Sequence, residues 1–261
     1  MKNCLIMGSG RSGTSMLSGI LHASGYFMGE KLHLPRESNP KGFFEWWKIN
    51  LINEEILAPF GSTAYSRLIN KLRGMNSVRS PGNKQRWLLS LPESVRVRNE
   101  SQALMENIRS VIANPPFCFK DPRFCYTLPV WRPLLDPETV FICVFREPHI
   151  TAESILRECR ARDYLQSLHI TRDLALQVWY RMYSHLLAWN ADVMHRFFFV
   201  HYDQVYDGSA MEPLSQFLDV KLNSGFVDQS LKRTVSSHVP PRKASALYRR
   251  LCELANYPQA Q

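Results

Sequence analysis

Three runs of apolar, β-branched and aromatic residues stand out along the chain: Asn3–Met7, Thr139–Phe145 and Phe197–His201. Short unbroken runs of this kind are the pattern of strands buried on both faces, as in a parallel sheet. Gly25–Met28 and Phe117–Lys120 predict two further, weaker strands. Between the strands the apolar spacing changes to three and four. Ser12–Ala23 brings Met16, Leu17, Ile20 and Leu21 to one face, and Pro92–Ala113 is a long amphipathic candidate with Val95, Leu104, Ile108, Val111 and Ile112. Thr151–Arg162 predicts a third helix. Arg172–Val193 predicts a fourth, aligning Leu176, Trp179, Tyr183, Leu186 and Leu187. A polar loop over Ser236–Lys243 precedes a short helix from Ala244. Strands alternating with helices predict an α/β fold, a central parallel sheet of about five strands flanked by helices and joined by right-handed crossovers. With no internal repeat, residues 1–261 read as one domain.

Composition narrows the partners. A chain of 261 residues that is 45% hydrophobic and 21% charged is neither disordered nor a disulfide-stapled mini-domain. Lys and Arg number 32 against 23 Asp and Glu, a net +9. That surplus favours an anionic partner: nucleic acid, a phospholipid face, or a small phosphorylated ligand. Residues 61–110 carry most of it, with nine basic side chains (Arg67, Lys71, Arg73, Arg79, Lys84, Arg86, Arg96, Arg98, Arg109) against Glu93, Glu100 and Glu106. With its loop-like stretch Gly74–Gln85, this segment reads as a basic loop and helix insertion within the domain. The six cysteines form no C-x-x-C pair and have no His at zinc-finger spacing, so they read as reduced core thiols of a cytoplasmic chain without a metal site. No run approaches the ~20 apolar residues that span a bilayer. The run Cys4–Met7 is too short for a secretory h-region. Peripheral contact with a membrane stays open.

The strongest local signal is Gly8-Ser-Gly-Arg-Ser-Gly13-Thr14-Ser15, which follows a strand and opens a helix. Glycines let the backbone wrap an anion while amide groups and the helix N-terminus face it. This predicts a P-loop nucleotide-kinase-like version of the α/β fold. In nucleoside-triphosphate hydrolases Lys follows the second Gly and the next hydroxyl binds magnesium. Here Thr14 stands at that position, the cation has moved to Arg11, and Thr139–Phe145 ends in Arg146 with no metal-binding carboxylate. A magnesium-bound triphosphate is poorly served.

The chain resembles the sulfotransferases that use 3′-phosphoadenosine 5′-phosphosulfate (PAPS), in their bacterial, carbohydrate and tyrosylprotein branches. The Gly8–Ser15 loop is similar to the family's 5′-phosphosulfate loop. The stretch Phe141–Ser154, a strand ending in Arg146 with Ser154 eight residues on, resembles its 3′-phosphate motif. Ser38–Glu45, Phe119–Arg123 and Val200–Asp203 resemble further segments, in the family's order. The resemblance implies that Gly10, Arg11, Ser12, Gly13, Thr14, Ser15, Arg146, Ser154 and Tyr202 bind PAPS or its product 3′,5′-bisphosphoadenosine. It also implies that Arg11 and Lys120 act at the transferring group, without a metal. The acceptor is expected to be a hydroxyl on a carbohydrate, a lipid-linked compound or another small molecule, approached by Phe43, Phe44, Trp46 and Trp47.

A hydroxyl acceptor calls for a general base. Glu45, among aromatic neighbours, is the first choice, with Glu30 and Glu37 as competitors and His33 behind them. Each residue has an alternative part. Glu45 could cap the helix beginning near Trp46, Lys120 could pair with Asp121, and Arg146 could pair with Glu147 or Glu153. Tyr202 could be a core aromatic. Two other functions stay in competition. One is a P-loop nucleoside or sugar kinase. The other is a basic nucleic-acid-binding protein, disfavoured because Trp87 is the one aromatic after Tyr65 within 61–110.

Overall fold

The structure, a computed structural model, describes residues 1–37, 39–61, 81–226 and 235–258. Its sheet has four parallel strands in the order β2-β1-β3-β4: β1 (Cys4–Met7), β2 (Cys118–Lys120), β3 (Val140–Phe145) and β4 (Phe197–His201). Alternate residues of each strand enter opposite layers, as the unbroken apolar runs require. Leu5, Met7, Phe141, Cys143 and Phe145 face one core; Cys4, Ile6, Val140, Ile142 and Val144 face the other. The helices cover both faces: α1 (Thr14–Ala23), α2 (Trp47–Ile56), α3 (Gln102–Ile112), α4 (Phe124–Trp131), α5 (Pro148–Ala161), α6 (Asp163–Gln166), α7 (Arg172–Trp189), α8 (Tyr202–Tyr206), α9 (Met211–Leu218) and α10 (Arg242–Leu254). The six cysteines are buried and none forms a disulfide among the described residues.

Two expectations need correction. The fifth strand, Gly25–Met28, is reduced among the described residues to one parallel bridge, Phe27 to Phe117. Phe27 N–H reaches Pro116 O and Cys118 N–H reaches Phe27 O, but Pro115 and Pro116 have no N–H to extend the ladder. The helix expected over Pro92–Ala113 starts only at Gln102. Ser101 is its N-cap, its Oγ accepting Leu104 N–H at 3.4 Å, which fixes the start. Upstream the chain makes a turn, Val95 N–H on Pro92 O at 3.0 Å, and continues without helix, burying Val97. Smaller shifts have similar causes: Pro148 at the first helical position starts α5 before Thr151, and α7 closes at Trp189 ahead of a 3-10 turn over Ala191–Arg196.

Of the basic segment, Arg67, Lys71, Arg73 and Arg79, with most of the loop Gly74–Gln85, lie outside the described residues. The described part is anchored through Arg86, whose NH1 lies 2.6 Å from Glu54 Oε2 of α2. β1 lies between β2 and β3, and the chain leaves it toward one neighbour and later reaches the other. The carboxyl edge of the sheet at this switch point is where α/β proteins bind ligands. The registers Ile6–Lys120, Met7–Cys143 and Phe145–His201 bring the Gly8–Gly13 loop, Lys120, Arg146 and Tyr202 to that edge.

Candidate active site

The loop between β1 and α1 is held from behind. Tyr183 of α7, fully buried, accepts Ser9 N–H at 3.0 Å and lies 2.8 Å from Val144 O and 3.1 Å from Ser12 Oγ. A carbonyl can only accept, so the phenol's single hydrogen goes to Val144 and the Ser12 hydroxyl donates to the phenol. Loop and strand β3 are thereby tied through one side chain. Gly8 is required: a Cβ there would sit 2.1 Å from Val144 O. Gly13, at φ 94°, is the N-cap of α1 and brings no side chain to its first-turn amides. Thr14 and Ser15 therefore present helix-start N–H groups to a ligand. Tyr202 packs on Gly13 so closely that a Cβ would meet its ring at 2.4 Å, and Trp87 does the same over Gly10 at 2.6 Å.

The expected residues fall into two groups along this edge. In the first, Lys120, 2% exposed at the end of β2, forms an ion pair with Glu45 and reaches Ser15 Oγ at 3.3 Å. Lys120 thus pairs with Glu45 and not with Asp121. Glu45 lies outside the helix cap, since the N-cap of α2 is Trp46. Glu30 and Glu37 are exposed. His33 lies opposite Glu45 in a short antiparallel pairing, its N–H on Glu45 O at 2.9 Å, and its Nε2 is 2.7 Å from Asn50 Oδ1. Asn50 donates to Asp121 at 2.7 Å, which fixes that amide's orientation and puts the imidazole hydrogen on His33 Nε2. Asp121 also takes Arg123 N–H and NH1, and Arg123 NH2 lies 2.7 Å from Glu54. This buried chain of charges holds the turn after Lys120. Burial acts to lower the Arg123 pKa, but Asp121, Glu54 and Glu45 raise it well above its ordinary value.

In the second group, Arg11 Nε donates to Ser154 Oγ of α5 at 3.2 Å, and its NH1 lies 3.7 Å from Glu158. Burial lowers the Arg11 pKa; Glu158 opposes this, while the nearby cations Arg157, Arg162 and Arg146 add to it. A ligand carrying negative charge would relieve that crowding of cations. The Arg146 guanidinium lies over the Tyr202 ring at 4.3 Å, and Trp179 Nε1 donates to Arg146 O. A cavity of about 680 Å³ opens alongside, lined by Glu153 and Arg157 of α5, Arg172 and residues 235–239. So Arg11 joins Ser154, and Arg146 joins Tyr202.

Some residues escaped the sequence. Tyr183 appeared there only as one apolar position of a helix face; a buried phenol's need for a hydrogen-bond partner was its sole signal. Of the aromatics around Glu45, Trp46 is core, buried against Gly29, Phe27 and Phe119. Phe44 packs between His22 and Phe226, and Trp47 is 44% exposed. Glu147, His201 and Asp203 form the one cluster of metal-ligand type among the described residues. His201 Nδ1 already takes Asp203 N–H at 3.1 Å, so the group acts as a helix cap. No helix of the described residues is long and apolar enough to cross a membrane.

Comparison with known proteins agrees with this fold. No curated protein matches the chain. Among solved structures it is similar to the sulfotransferase domain of the Synechococcus PCC 7002 olefin synthase, with a TM-score of 0.56 and 17% identity over 97% of this chain and 96% of that one. It is also similar to the sulfotransferase domain of the curacin biosynthetic pathway, with a TM-score of 0.52 and 18% identity over 99% of both chains. At that identity the likeness is one of fold. The model of the sulfotransferase family matches residues 4–222, and the chain therefore belongs to this family of PAPS-dependent transferases.

Proposed function

We propose that the protein moves a sulfuryl group from PAPS to a hydroxyl acceptor, with Lys120, Glu45 and Ser15 at the reacting end and Ser154, Arg146 and Tyr202 around the 3′-phosphate, joined there by Arg11. The bond of Arg11 to Ser154 moves it away from the transferring group, where the sequence had placed it. The observation that carries this is the joining of Lys120 Nζ, at the end of β2, to both the phosphate loop and a carboxylate. The donor set suits the nucleotide: Gly10, Ser12, Gly13 and Thr14 form a loop closed by Tyr183 and uncapped at its helix end, flanked by buried cations. When bound, PAPS supplies the activated sulfuryl group.

The protein's own residues do the rest. Lys120 sits in a nearly dry position, where a fixed cation stabilises charge developing on the leaving oxygen more than it would in water. Ser15 and Glu45 fix the direction of its ammonium. Glu45 Oε1 holds Lys120, which leaves Oε2 to take the proton of the acceptor hydroxyl. Arg146 offers a planar fork to a terminal phosphate, and the Tyr202 ring, 4.3 Å away, limits its movement. In this reading fixed cations do the work that magnesium does in a triphosphate enzyme, so the reaction as drawn needs no metal. Residues 1–261 act as one domain in this reading.

The test is PAPS-dependent sulfation of a panel of glycans, phenols, lipids and peptides, read by mass gain. Lys120→Ala and Glu45→Gln are expected to lose turnover at least 100-fold while keeping 3′,5′-bisphosphoadenosine affinity within about threefold. Equal loss of both would overturn the assigned roles. Phosphorylation of an acceptor by ATP would return the kinase reading.

A further inference from the structure

Behind the Arg146–Tyr202 pair lies a buried cluster that the transfer step does not use. At its centre His201, the last residue of β4, is fully buried. Its Nδ1 accepts Asp203 N–H at 3.1 Å while its own N–H donates to Gln204 Oε1 at 2.9 Å, a capping box that fixes the turn carrying Tyr202. With Nδ1 an acceptor, the ring hydrogen is on Nε2. That nitrogen faces Tyr248 OH of α10 at 3.2 Å and Glu147 Oε2 at 3.6 Å. Glu147 is the residue after Arg146 and the N-cap of α5. One imidazole therefore braces both halves of the pair: through Nδ1 the turn bearing Tyr202, through Nε2 the turn bearing Arg146. Tyr257 stacks on the ring at 3.9 Å and donates to Asp203 at 3.2 Å, and Gln204 donates to Ala255 O, so the C-terminal helix and its tail close the cluster.

We infer that His201 is a positioning residue for recognition of the 3′-phosphate: it sets the Arg146 guanidinium against Tyr202, and Tyr248 of α10 completes the brace. The inference rests on the reading that Arg146 holds that phosphate. A brace of this kind affects one end of the ligand. In this reading the 5′ end lies on the loop and first turn of α1, whose main tie is Tyr183; Tyr202 touches that loop through its ring on Gly13.

Two variants separate positioning from bulk stability. His201→Asn keeps a side-chain acceptor for the cap but loses the reach of Nε2, and Tyr248→Phe keeps the cap and the ring but removes the hydroxyl. Calorimetry of 3′,5′-bisphosphoadenosine and of 5′-AMP, which lacks the 3′-phosphate, gives each protein a preference ratio. Each variant is expected to lose about tenfold in that ratio, with 5′-AMP affinity within about twofold of the original protein. Parallel weakening of both ligands, or an unchanged ratio in a folded variant, overturns the inference. If His201→Asn does not fold, Tyr248→Phe decides alone. Should the unaltered protein show no preference for the bisphosphate, the assignment of Arg146 falls first, and this inference with it.

Discussion

Replacing Tyr183 by Phe removes one oxygen atom and leaves the ring packed on Trp179. That oxygen serves three groups: Ser9 N–H at 3.0 Å, Val144 O at 2.8 Å and Ser12 Oγ at 3.1 Å. Ser9 and Ser12 are fully buried, so water does not replace what is lost. Each net hydrogen bond contributes about 1 kcal/mol, and an amide left buried without a partner costs about 1–3 kcal/mol more. Three such bonds and one stranded amide come to about 4–6 kcal/mol, or roughly 8–12 °C in Tm for a chain of this size. Urea unfolding would read this as a lower midpoint at unchanged slope. The same variant should bind 3′,5′-bisphosphoadenosine more weakly, because the loop loses its tie to β3. An unchanged midpoint together with unchanged affinity would refute the reasoning and reduce Tyr183 to a packing ring.

Gly8→Ala should fail to give folded protein, since its Cβ would lie 2.1 Å from a backbone oxygen of β3; circular dichroism and gel filtration decide. Glu54→Ala should lose about 3–5 kcal/mol in denaturant unfolding, because Arg123 and Arg86 lose a shared buried carboxylate. Burial alone would raise the Glu147 carboxyl, but hydrogen bonds from His201 and its own backbone, with the positive charge of Arg146 nearby, hold it at about 2. Between its ordinary 4.5 and that value the unfolded chain binds more protons, so stability falls as pH drops through this window. The contribution lost is at most about 3 kcal/mol, and Glu147→Gln should flatten unfolding midpoints measured from pH 5 downward.

The sheet was legible because residues such as Phe141–Phe145 must be apolar on both faces, and the phosphate loop because only glycine tolerates the approach to Val144 at position 8. Other features were not. Leu104, Ile108 and Val111 keep helical spacing, but Val95, nine residues before Leu104, would fall on the opposite face. The helix expected through Pro92–Glu100 was therefore too long, and the cap at Ser101 fixes its start. Trp46 and Trp47 are neighbours in sequence, yet one enters the core and the other faces solvent as α2 begins. Arg11 with Ser154 and His201 with Glu147 meet across elements far apart in the chain. Spacing carries no record of such contacts. Two of the five described cations of the basic segment are engaged in structure, Arg86 on Glu54 and Arg96 over Trp189 at 5.2 Å. The net charge of +9 is therefore a weaker pointer to nucleic acid than it looked.

The most direct test of the central claim is calorimetric titration of 3′,5′-bisphosphoadenosine in the presence of EDTA, beside ATP with magnesium. Tight, metal-independent binding of the bisphosphate, lost in Arg146→Ala, is the expected result. Equal or tighter binding of magnesium-ATP, or bisphosphate binding indifferent to Arg146, would contradict the account.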